Sequence, residues 1–171
     1  MNKLPEVWLR GPLADMPSLL QPVAHALLQA REEINELMTN FPEELLFTPL
    51  YGMASVGFHL QHLNGVLDRL FTYAAGNSLT KEQLDYLQFE GKTNPSAKII
   101  DLVNAFNGQV DKALVQLQAT SENTLIEFRG VGRAQLPSTV IGLYVHAAEH
   151  TMRHVGQLLI TARVMKDLNS G

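Results

Sequence analysis

The chain has 171 residues, of which 46% are hydrophobic and 18% charged, with a formal net charge of −4 at neutral pH. These proportions argue against disorder, and the scattered Lys and Arg argue against the basic patch that nucleic-acid binding requires. The absence of cysteine excludes disulfides, thiolate zinc sites and cysteine nucleophiles, so any metal must take nitrogen or oxygen ligands.

The length suits a single domain over residues 1–171. Residues 1–16 carry Pro5, Gly11 and Pro12 and read as an extended N-terminal arm, with Trp8 expected to pack on the domain and anchor it. This start lacks the apolar core of a signal peptide. No run approaches the ~18–20 apolar residues of a membrane span, so the expectation is a cytoplasmic protein with no membrane partner. A first helix is predicted from Pro17 or Pro22 to Met38, where Val23, Leu27, Ala30, Ile34 and Leu37 keep the 3–4 spacing of a core-facing stripe. Proline is tolerated only in a first turn, which favours a start at Pro22.

The second helix is predicted over residues 55–75, with Ser55 as N-cap and Gly76 as terminator. It holds His59 and His62, three apart and close to one face. Thr80-Lys-Glu-Gln83 has the form of a capping box opening a short helix. Asn94-Pro95 then reads as cap and first turn of a third long helix, to about Gln118. Residues 119–137 read as irregular, with residues 124–128 a possible short extended piece. Ser138 is expected to cap the fourth long helix. Four amphipathic helices without convincing strand pairs indicate an all-α bundle. The long connection between the second and third of them leaves the up-and-down order open.

The fourth helix holds the pattern that stands out. His146, His150 and His154 recur every four residues, and the last two continue the apolar row Leu143, Ala147, Leu158 and Thr161. An unpaired polar group in such a row costs roughly 1–3 kcal/mol, so two successive histidines there need a partner. A metal ion shared with His62 of the second helix is one such partner and would leave one coordination position open. Hydrogen bonding within the core or at an interface is the other. His146–His150 also has the form of an inverted zinc-protease signature with Glu149 as base, but too little chain follows it to build a cleft. Arg69, Arg153 and Glu149 read as salt-bridge or surface groups, His25 as surface or core filler. Gly156 reads as a helix-packing position, and Gln157 as a hydrogen-bonding group near the site.

S-V-G-F-H-L-Q-H-L-N-G at residues 55–65 and A-E-H-T-M-R-H-V-G-Q-L at residues 148–158 together resemble the DinB-like (YfiT-type) metalloenzyme family. The resemblance spans roughly residues 15–165. It implies a four-helix bundle in up-down-down-up order, and a divalent nickel or zinc ion held by His62, His150 and His154. His59 and His146 are extra to that triad and, with Gln157, are candidates for supporting it. The resemblance also implies a thiol-dependent S-transferase or related hydrolase acting on a small molecule. Without cysteine, a low-molecular-weight thiol would have to be a cosubstrate. The alternative is a non-catalytic metal- or ligand-binding bundle, motivated by the lack of an evident base or thiol-recognition motif. Size and resemblance alike suggest a homodimer.

Overall fold

The computed structural model describes residues 4–169. Five α-helices account for most of it: α1 (Gln21–Met38), α2 (Val56–Ala74), α3 (Lys81–Phe89), α4 (Ile99–Ala119) and α5 (Val140–Leu168). The expected stripe of α1 is buried at Val23, Leu27, Ala30 and Ile34, and Pro22 sits in its first turn. The Ser55 hydroxyl accepts from the Phe58 amide at the start of α2. Gly76, at φ +80°, follows its last turn, a conformation open to glycine at little cost. Thr80 and Gln83 make the capping box of α3.

α2 packs against α4 and α5, and α1 packs against the same two helices, so the core lies among the four long helices. Leu60, Leu63 and Leu67 of α2, Phe106 and Val110 of α4, and Leu158 and Ala162 of α5 are wholly buried there. α3 lies within the connection from α2 to α4 and rests on α2. Gln83 donates to Asp68 Oδ2 (2.8 Å) and Thr72 Oγ1 (2.7 Å), and the Tyr86 hydroxyl donates to the Gln61 carbonyl (3.1 Å).

Four expectations are corrected. A two-stranded antiparallel hairpin, β1 (Phe128–Val131) with β2 (Leu136–Thr139), lies mostly in the stretch read as irregular, and it shares only Phe128 with residues 124–128. Ser138 belongs to β2, and Thr139 caps α5 by accepting from the Gly142 amide. Asn94 caps its own turn, accepting from Ser96, while α4 starts at Ile99. The Ile99 amide instead donates to the Glu43 carboxylate at 3.1 Å, a cap from 56 residues away. Lastly, the arm is anchored by buried Val7 in a 3₁₀ turn (Val7–Arg10), whereas Trp8 is 61% exposed and donates to Glu6. The first three residues of the arm lie outside the described residues. Among the described residues, no helix is long and apolar enough to cross a membrane.

Candidate metal centre

α2 and α5 bring four histidines face to face. Buried residues one turn away set the rotation of each helix: Leu63 after His59, Gly65 after His62, Ala147 before His150 and Leu158 after His154. His59 Nδ1 lies 3.1 Å from His154 Nδ1, and His62 Nε2 lies 2.9 Å from His150 Nε2. One ring nitrogen from each of His62, His150 and His154 lies within 4.8 Å of the others, close enough for one cation to be shared. The Phe58 ring stacks on His62 at 5.3 Å between centroids and 8° between planes, holding that imidazole flat.

A carboxylate completes the arrangement. Glu90, the residue after α3, places Oε2 2.7 Å from His62 Nδ1, and its Oε1 accepts from Arg69 Nη1 at 2.5 Å. Its side chain is 5% exposed. Burial alone would raise the Glu90 carboxyl; the hydrogen bonds from His62 and Arg69 outweigh burial and hold it below the usual range. Glu90 is thus an acceptor, and His62 donates to it from Nδ1. The lone pair of His62 is left on Nε2, the atom that faces His150 Nε2. His150 Nδ1 is buried and has no hydrogen-bond partner among the described residues. Facing ring nitrogens 2.9 Å apart, with the opposite nitrogen of His62 bound to a carboxylate, fit a cation.

The electrostatics point the same way. Burial, then the nearby His62, pushes His59 down to about 4; burial, then the neighbouring imidazoles, brings His154 to about 4. His150 is lowered by the same causes. Neutral imidazoles are the form that donates a lone pair to a metal.

The remaining sequence candidates fall around this centre. His59, buried, touches the triad through His154 Nδ1. His146 is exposed, 3.1 Å from Glu149 Oε1, with its ring 5.3 Å from that of His150. Glu149 is also bound by Arg153, which removes it from the role of a free base. Gln157 is exposed and lines a mostly apolar cleft of about 610 Å³ with Met53, Ala54, His59, Arg153, Gly156, Ile160 and Thr161. A Cβ on Gly156 would meet no atom within 4 Å, so the helix-packing expectation for it is wrong: the glycine opens that cleft. Arg69 is a salt-bridge group as expected, but a buried one.

A sequence profile described as the DinB superfamily matches residues 26–158, well over half of the chain. The chain belongs to the DinB superfamily. The matched span runs from α1 into α5 and contains His59, His62, His146, His150 and His154. No curated protein matches the chain. A structural-genomics crystal structure of a Streptococcus pneumoniae protein is similar, with TM-score 0.66, 15% identity, and coverage of 90% of this chain and 92% of that one. At that identity the likeness is one of fold. Membership of the DinB superfamily and the three converging imidazoles together support a metal-dependent enzyme.

Sequence reasoning missed Glu90 and the role of Arg69. One signal was available. Gly65 stands in mid-helix, where glycine costs roughly 1 kcal/mol against alanine. A Cβ there would lie 2.3 Å from Glu90 Oε1 and 2.7 Å from Arg69 Nη1, so the missing side chain makes room for the pair.

Proposed function

We propose that this DinB protein is a metal-dependent enzyme, a thiol-dependent S-transferase or related hydrolase acting on a small molecule. His62, His150 and His154 would hold a divalent nickel or zinc ion. The observation that carries the reading is the convergence of those three rings, with Glu90 on the far nitrogen of His62. A bound cation would supply Lewis acidity, lowering the pKa of a thiol or water so that it is nucleophilic at neutral pH. The protein's share is to keep the imidazoles neutral, to orient them through Glu90 and His59, and to offer apolar space beside His59. An up-down-down-up bundle in a single domain suits the long α2–α4 connection and the packing of α2 on α4. A cytoplasmic homodimer completes the proposal. Exposed Val145, Ile160 and Leu168 on α5 favour a second copy over that face, with light scattering at twice the monomer mass as the expected result.

One observation favours the non-catalytic alternative. Both carboxylates near the centre are engaged, Glu90 by Arg69 and His62, Glu149 by Arg153 and His146. Neither is free to act as a general base.

The test is elemental analysis after dialysis, followed by a screen for thiol consumption with small electrophiles. His62→Ala, His150→Ala and His154→Ala should each empty the site and with it abolish any turnover. His59→Ala should retain metal with affinity lowered about 10–100-fold, the usual cost of removing a group that orients a ligand. His146→Ala should bind normally. Loss of metal from His146→Ala with retention by His154→Ala would move the ligand set one turn along α5. Stoichiometric metal with no turnover for any electrophile would favour the binder.

A further inference from the structure

We propose that Glu90, clamped by Arg69 in the space left by Gly65, is the positioning residue that presents His62 Nε2 to the metal. The proposal rests on the metal-binding reading above and deepens it. Four observations converge. The Glu90 side chain reaches His62 Nδ1 at 2.7 Å with one oxygen and is held at 2.5 Å by Arg69 with the other, so its orientation is fixed from two sides. An imidazole that donates from Nδ1 to a carboxylate has only Nε2 left to offer, and that atom is the one facing His150. Gly65 lies one helical turn before Arg69, and a Cβ there would overlap Glu90 Oε1, Arg69 Nη1 and Tyr86 Cε1, all within 2.8 Å. Finally, α3 is docked so that its end falls at this point, with the Gly91 amide donating to Gln61 Oε1 at 2.8 Å.

Arg69 and Glu90 form an ion pair whose side chains are 10% and 5% exposed. A buried pair of that kind is weak evidence of stability by itself, since desolvating both charges offsets their attraction. Orienting a ligand explains why the pair is placed under His62 and why a glycine is kept in mid-helix beside it.

The experiment compares wild type with Glu90→Ala, Glu90→Gln and Gly65→Ala by zinc titration against a competing chelator. Long-range ¹H–¹⁵N spectra of the metal-free proteins run in parallel, and His154→Ala serves as control. Glu90→Ala should weaken zinc about 10–100-fold and convert His62 from the Nδ1–H tautomer towards Nε2–H. Glu90→Gln keeps an acceptor oxygen and should fall between. Gly65→Ala removes no charge and favours helix, yet should weaken zinc by displacing the carboxylate; it carries the test if Glu90→Ala does not fold. A purely structural Glu90 would lower the melting temperature and leave the His62 tautomer and the zinc affinity unchanged, which overturns the proposal. Should His154→Ala also bind zinc as wild type does, the metal centre itself is refuted and the proposal falls with it. Should His154→Ala lose zinc while all three other variants bind normally, only the role of Glu90 is refuted.

Discussion

His59 and His154 face each other through nitrogens 3.1 Å apart, and neither ring accepts a proton until the pH falls to about 4. In the unfolded chain both would titrate near 6.5. Between those values the unfolded state binds more protons than the folded one, so stability rises with pH across the window. The metal-free protein should therefore be most stable above pH 6.5 and lose stability on acidification towards pH 4, on the order of 2–3 kcal/mol for His59 alone. Urea titrations at pH 7.5, 5.5 and 4.5 measure this, and His59→Ala should flatten the profile. A stability independent of pH over that range would mean that the rings are solvated. The histidines themselves were legible in the sequence, because periodicity assigns them a face. Glu90 was not: it lies 28 residues from His62, and only tertiary packing relates the two.

At the level of elements, caps within one turn of a helix were legible and caps from afar were not. Ser55 and Thr80 each bind an amide three residues on, so the local sequence states them in full. Asn94-Pro95 has the same local form, yet the Asn94 side chain is satisfied by Ser96 and the helix begins four residues later. Glu43 does the capping, and a carboxylate at a helix N-terminus also meets the positive end of the dipole. Glu43→Ala should cost about 1 kcal/mol and lower the melting temperature by about 2–4 °C for a chain of this size, read by calorimetry. An unchanged transition would show that water replaces the carboxylate. The hairpin escaped notice for a related reason. Its strands are four residues each, and Phe128-Arg-Gly-Val shows no clean alternation. What holds it is Arg129, which donates from Nε to the Ala74 carbonyl at the end of α2.

Across the whole molecule, the long helices and the centre they enclose follow from the 3–4 spacing of apolar residues. That spacing puts Leu60, Leu63 and Leu67 inward on α2, and carries His59 and His62 with them. The helix order was not legible, because a connection of this length allows several. What the apolar pattern also could not show is that one side of the centre comes from outside the long helices, from the end of a short helix with no buried residue of its own.

That segment, α3, is joined to α2 through Gln83, Tyr86 and Glu90 more than through apolar packing. A helix so held detaches at a free energy well below that of global unfolding. Each detachment withdraws Glu90 from His62. Coupling between two equilibria is reciprocal: if a docked α3 tightens the ion, the ion must tighten the docking of α3 by the same factor. Amide protons of residues 84–90 should therefore exchange with deuterium about 10–100-fold more slowly once zinc is added, while those of α4 change far less. Equal exchange with and without zinc would mean that the short helix and the ion do not sense each other.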